Sequence, residues 1–268
     1  MNRLRYCSLF TFCILLALIS CGDQPTGTDN IQNGDTGDNG QDNGDPPTSE
    51  FSHTLSPGSS NEAFITDNEF DQLVVEIQFM PGSQPTAGSI NNLRGFLEEH
   101  LDKISVTILD PVEIPSGGQE SYTANDVRDL EEQHREQFTD GSTLASYAIF
   151  LDGEFSTRNV LGIAYYNTST AYFSETINRI SGGIGQPSRT AIESTVFNHE
   201  FGHLMGLVNN GTEMQHDHHD SDNGAHCTVQ ECLMYFSVNT TDFFANLFGG
   251  NIPELDDFCV ADIEALKN

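Results

Sequence analysis

The sequence predicts an α/β (α+β) fold, a mixed twisted sheet with helices packed on it, over residues 51–268. Three observations predict it. Apolar, β-rich runs alternate with segments of helical period. Pro-Gly, Asp-Pro and Asp-Gly pairs close those runs. A long helical segment then follows the last run. In order, residues 73–80 (LVVEIQFM) read as a strand stopped by Pro81-Gly82. Leu93, Leu97 and Leu101 fall at helical spacing within residues 90–101. Residues 104–109 (ISVTIL) form a second strand, ended by Asp110-Pro111. Residues 125–138 are charged and helical, with Thr123 as the cap. Residues 145–151 (ASYAIFL) make a third strand, closed by Asp152-Gly153, and residues 160–166 (VLGIAYY) a fourth. A glycine-rich turn at 181–185 leads into one helix over 188–207. Beyond 208 the chain is loop-rich, with an apolar stretch at 243–248 and a closing helix near 260–266. The order β-α-β-α-β-β-α, with no internal repeat, suits one mixed sheet with helices on it.

Composition narrows the partners. Of 268 residues, 10 are Lys or Arg and 40 are Asp or Glu, a net charge of −30. Such a polyanion repels nucleic acid and gains nothing from counterion release, so nucleic acid is excluded as a partner. Adsorption of the folded part to anionic lipid is disfavoured on the same ground.

The first fifty residues set the expected compartment. Arg3 and Arg5 precede an apolar run from Leu9 to Ile19. The run is as long as a signal-peptide core and short of the ~20 residues a membrane span needs. It ends Leu18-Ile19-Ser20-Cys21-Gly22, which resembles a bacterial lipobox. Residues 1–20 are thus expected to be a lipoprotein signal peptide and Cys21 the lipidated residue, anchoring the chain to the membrane of the bacterial cell envelope. Residues 21–50 continue as a Gly/Asp/Asn tether with one aliphatic residue, Ile31. It cannot bury enough apolar area to offset chain entropy, so disorder is expected.

The chemistry is carried by His199-Glu200-Phe201-Gly202-His203. Residues i and i+4 project from one helix face, so both imidazoles reach one metal ion, with Glu200 beside the open position. At about 100° per residue, Phe197, Phe201, Leu204 and Val208 form a stripe for the core, while His199 and His203 lie on another face with Ile192 and Val196. Gly206 allows a sharp exit from the helix toward a third ligand. In the compact pattern that ligand falls at 209, which is Asn. His216, His218, His219 and His226 lie downstream.

From His226 the chain reads His226-Cys227-x4-Cys232-x-Met234. His-Glu-x-x-His-x-x-Gly followed by His-Cys-x4-Cys-x-Met resembles the archaemetzincin branch of the metzincin zinc peptidases, over residues 199–234. The resemblance implies a metzincin-like zincin with a loop-rich C-terminal subdomain, a Met-turn and a final helix. It implies His199, His203 and His226 as Zn²⁺ ligands, Glu200 as general base and Met234 as the Met-turn methionine. It also implies a peptide or protein substrate paired along an edge strand, here 160–166. Three neutral imidazoles leave the zinc dipositive with one position open. In several metzincins a tyrosine two residues after the methionine assists the oxyanion; position 236 is Phe, so the adjacent Tyr235 receives no role.

Two departures follow. Nineteen residues, 207–225, stand where the family pattern has two. This insertion leaves His218 as a rival third ligand. Its Asp217, Asp220, Asp222 and Asn223 suit a second cation such as Ca²⁺, with a solvated polar loop as the alternative. Archaemetzincins also carry a later Cys-x-x-Cys that completes a four-cysteine zinc site. Here only Cys259 follows, so a Cys227–Cys232 disulfide is expected, with Cys259 buried or free. The leading expectation is an extracytoplasmic zinc endopeptidase. The alternatives are a gluzincin-type peptidase with Glu213 or Glu231 as third ligand, and a non-catalytic surface lipoprotein that binds metal or a partner.

Overall fold

The computed structural model describes residues 51–238 and 251–268. The expected signal peptide, Cys21, the tether and the apolar stretch at 243–248 lie outside the described residues.

Helix α1 (Asn61–Ile65) precedes strand β1 (Gln72–Phe79), α2 (Ala87–His100), β2 (Ser105–Ile108) and β3 (Val112–Glu113). Then come β4 (Ser121–Tyr122), α3 (Ala124–His134), β5 (Thr143–Leu151), β6 (Glu154–Phe155), β7 (Gly162–Tyr166) and β8 (Ser169–Phe173). Helices α4 (Ser174–Arg179), α5 (Arg189–Leu204) and α6 (Asp257–Lys267) complete the described elements. The main sheet runs β2-β1-β5-β8-β7, with β3 also on β1, and β4 and β6 form a separate pair. β1, β2, β5 and β8 are parallel, while β7 is antiparallel to β8 at the sheet edge. The expected mixed α/β sheet is therefore present.

Both faces of the sheet are covered. Along β5, Leu144, Ala148 and Phe150 join one apolar cluster with α1, α2 and α5, while Tyr147, Ile149 and Leu151 join a second that includes Val127 of α3. That is the period of two a pleated strand imposes. In β1 the odd-numbered Leu73, Val75 and Ile77 are apolar and buried; Glu76 and Gln78 are buried between them. These two are satisfied internally: Gln78 accepts from the Tyr147 hydroxyl (2.8 Å), and Glu76 accepts from the Glu136 and Gln137 amides.

The two-residue strands β3, β4 and β6 and one full strand of the main sheet escaped the sequence reading. β8 (STAYF) sits between β5 and β7 and is buried along its whole length. It begins only two residues after β7, across Asn167-Thr168, and opens on hydroxyl residues rather than an apolar run. Its Thr170 and Tyr172 bond to one another (3.0 Å), which lets polar side chains sit in a central strand.

α5 is docked by Phe197, whose ring meets Tyr172 at 4.4 Å and Phe150 at 5.0 Å, both edge-on. Its next turn therefore projects beside β7, where the two histidines lie. Phe197→Ala is expected to cost about 3–5 kcal/mol of unfolding free energy in a urea titration. A cost under ~1 kcal/mol would mean that another contact sets the helix position.

Candidate metal centre

The local sequence fixes both ends of α5. Ser188 Oγ accepts from the Ala191 amide (3.1 Å) at the start. After Leu204 the chain leaves through Gly206 at φ 72°. A Cβ there would stand 2.8 Å from Asn61 Cβ and 2.9 Å from the Thr212 nitrogen, so glycine is required. Gly202, between the two histidines, is the floor: a Cβ would collide with Met234 Sδ. Met234 itself is fully buried.

His199, His203 and His226 come together. The Nε2 atoms of His199 and His203 are 3.1 Å apart, and those of His199 and His226 are 3.3 Å apart. Donor atoms of all three lie within 4.8 Å of one another. The Nδ1–H of His199 donates to the Leu233 carbonyl (2.7 Å), and that of His226 to the Asn223 carbonyl (2.6 Å). A carbonyl only accepts, so both protons sit on Nδ1 and the Nε2 atoms meet as bare lone pairs. Lone pairs so close repel unless a cation stands between them. Tetrahedral ligation at about 2.0–2.1 Å places such nitrogens roughly 3.3 Å apart, so the donors fit a zinc ion.

The environment keeps these rings neutral. Burial pulls His199 down to about 3, with His226 adding to the effect. Burial likewise holds His203 well below the usual histidine value, and His226 below it. Glu200 points into a cleft of about 300 Å³ with His203, Gly162, Ile163 and Ala164 of β7, Ser56, Pro57 and Asn210 on its walls. Its Oε1 has no hydrogen-bond partner. Burial pushes its carboxyl up to about 8, against the Ala164 amide, which works the other way.

The other predicted residues go elsewhere. His218 is buried outside the histidine trio, with Nδ1 3.3 Å from Cys227 Sγ and Nε2 2.8 Å from Asp262 Oδ2. Glu213 and Glu231 are exposed and lie in no described helix. The expected Cys227–Cys232 disulfide is not formed; Cys227, Cys232 and Cys259 are all free and buried. The sulfurs cluster without bonding: Cys227 Sγ lies 3.3 Å from His218 Nδ1, and Cys232 Sγ lies 3.6 Å from Cys259 Sγ on α6. Nothing in the arrangement supports the Ca²⁺ expectation either. Among the described residues, Asp217, Asp220 and Asp222 belong to no convergent donor group. Asp217 and Asp222 are exposed, and Asp220 accepts from the Asp222 amide and the Asn223 side chain instead. The sequence reading missed the Leu233 and Asn223 carbonyls, which have no residue signature, and Asp262, whose only signal is its helical spacing from Cys259.

No protein-family model matches the chain, and no curated protein does. Among solved structures it is similar to an archaemetzincin from Methanopyrus kandleri, at 13% identity and TM-score 0.49, covering 74% of this chain and 96% of that one. It is also similar to metalloproteinase-II from Bacteroides fragilis, at 14% identity and TM-score 0.41, covering 76% of this chain and 56% of that one.

In the metal-free protein, Glu200 has a folded pKa of about 8 against an ordinary 4.5. The stability linked to its protonation is whole below about pH 4.5 and is lost as pH rises through about 8. Glu200→Gln is therefore expected to raise the metal-free melting temperature by several degrees near pH 8, and little at pH 5. The imidazoles act in the opposite sense. Their folded values lie below 6.5, so their contribution is whole above pH 6.5 and falls away toward about pH 3 in the case of His199. Melting curves of chelator-treated protein across this range measure both; equal offsets at pH 5 and pH 8 would rule out the buried carboxyl.

Proposed function

We propose that this chain is an extracytoplasmic zinc endopeptidase with Glu200 as general base. The observation that carries the reading is the convergence of three imidazoles beside a buried carboxyl, one of whose oxygens lacks a partner, at the wall of an open cleft. His199, His203 and His226 would hold the zinc, which supplies Lewis-acid polarisation of a carbonyl and lowers the pKa of water.

The chain's own residues supply the rest. A carboxyl whose pKa is raised by burial is a stronger base than an exposed one and holds a proton long enough to return it to a leaving amine. Oε1 of Glu200 is the free atom for that transfer. β7 brings Gly162, Ile163 and Ala164 to the same cleft, and β8 is its one strand partner among the described residues. Its outer edge offers main-chain donors and acceptors to an extended peptide. Pairing of this kind reads backbone rather than side chains, which suits an enzyme that takes varied peptide or protein sequences. The Nδ1 anchors on Leu233 and Asn223 hold two of the rings in one tautomer, so no proton need leave them before an ion enters.

The envelope location follows from the N-terminal sequence. Arg3, Arg5, the apolar run and Cys21 at its end support a lipid anchor, and residues 22–50 supply a polar spacer long enough to hold the catalytic part off the membrane.

Glu200→Gln is expected to lower kcat/KM on a denatured protein substrate by ~10²–10⁴ while zinc content stays unchanged. His226→Ala is expected to lose activity together with the zinc of the histidine trio. Undiminished cleavage by Glu200→Gln, or full zinc retention without residue 226, would overturn the assignment. For the anchor, Cys21→Ser is expected to move the protein from the membrane fraction to the soluble fraction. Unchanged membrane partition would refute lipidation at Cys21.

A further inference from the structure

A second group of donors lies in the core behind the first. His218, Cys227, Asp256 and Cys259 each bring a ligand atom within 4.8 Å of the others. Cys232 joins through its sulfur, 3.6 Å from that of Cys259. His218 Nδ1 stands 3.3 Å from Cys227 Sγ and 3.9 Å from Cys259 Sγ. All four His and Cys residues are nearly or wholly inaccessible to solvent.

These separations have a simple reading. Zinc at about 2.3 Å from sulfur and 2.0–2.1 Å from nitrogen, tetrahedrally arranged, sets S···S near 3.8 Å and S···N near 3.6 Å. A disulfide would need sulfurs at about 2.0 Å, and no pair has approached it. The geometry points to a buried Cys3His zinc site formed by Cys227, Cys232, Cys259 and His218, in which a histidine from the 207–225 insertion stands where a fourth cysteine is lacking.

The surroundings are built for it. His218 Nε2–H donates to Asp262 Oδ2 (2.8 Å), which leaves Nδ1 as the lone pair facing the sulfurs. The other oxygen of Asp262 accepts from the Gln215 amide (2.6 Å), pinning the insertion to α6. Backbone amides reach two sulfurs: Val229 N–H to Cys227 and Met234 N–H to Cys232, each at 3.4 Å. Such bonds favour thiolate, the form that binds metal. Asp256 is the competing donor: its Oδ1 caps α6 by accepting from the Cys259 amide (2.9 Å), and its Oδ2 lies 3.5 Å from Cys227 Sγ. The thiolate of Cys232 is the softer ligand and suits zinc better. Binding releases three thiol protons and adds no other reactant. The insertion is then a ligand loop rather than a rim for calcium.

The test is metal counting on the full chain, with His203→Ala used to empty the histidine trio. Wild type is expected to hold about two zinc equivalents per chain and His203→Ala about one. Cobalt exchanged into His203→Ala is expected to show an intense thiolate-to-cobalt charge-transfer band. Cys259→Ser and His218→Ala in that background are expected to lose the band. His218→Cys is expected to keep the metal with a spectrum shifted toward four sulfurs, which separates a missing ligand from a misfolded chain. Asp256→Asn is expected to retain the band and Cys232→Ala to lose it. His203→Ala without metal, with a disulfide or three freely titrating thiols, would overturn the site. So would a band that survives loss of His218. None of these readouts uses peptide cleavage, so an inactive protein with a full Cys3His site would refute only the peptidase reading.

Discussion

Three imidazole nitrogens facing one another at the wall of a cleft constrain everything around them. The arrangement is unfavourable for the bare protein, because His199 and His226 turn unprotonated Nε2 atoms toward one another at 3.3 Å. It persists because neighbouring structure fixes the rings. His199 and His203 ride on α5, which Phe197 locks against Phe150 and Tyr172. His226 is held by the Asn223 carbonyl, and His199 by that of Leu233. The sheet core and the returning loop thus each hold one side of the trio, and an ion between them would replace repulsion with bonding.

Glu200 shows the same tension in another form. Its carboxyl is buried, one oxygen lacks a partner, and its charge is disfavoured. Glu76, by contrast, accepts from two amides on the opposite face of the sheet. Glu200 instead keeps one oxygen open beside the cleft that His203 also lines.

Much of this was legible because local physics dominated it. The runs around β1, β2, β5 and β7 are apolar and bounded by turn pairs. The i, i+4 spacing of His199 and His203 needs only helix geometry. α5 spans Arg189–Leu204 rather than 188–207 because Gly206 takes the chain out of the helix early. β8 was missed because burial and strand neighbours, not its own composition, make Ser169-Thr170-Ala171-Tyr172-Phe173 a strand. The cysteines were misread for a similar reason. Close spacing in sequence favours a Cys227–Cys232 bridge, but nothing local reveals that α6 brings Cys259 to Cys232, or that His218 folds back onto Cys227. The acidic run at 217–223 looked like a cation loop, yet its side chains turn toward each other and solvent.

The adjacency of His226 and Cys227 ties the two donor groups together. Cys227 bridges to His219 and to Tyr235, so the chain is extended there. Consecutive side chains in an extended chain point to opposite sides. One side sends an imidazole to the cleft and the other sends a sulfur to the core. At the far end of the loop Cys232 faces Cys259, and the next residue, Leu233, gives its carbonyl to His199. A metal drawing Cys227 and Cys232 together would therefore fix, through one residue of backbone at each end, both the third imidazole and the carbonyl that orients the first. Such an inner clamp would hold residues 207–225 to the core and keep them from loosening the histidine trio.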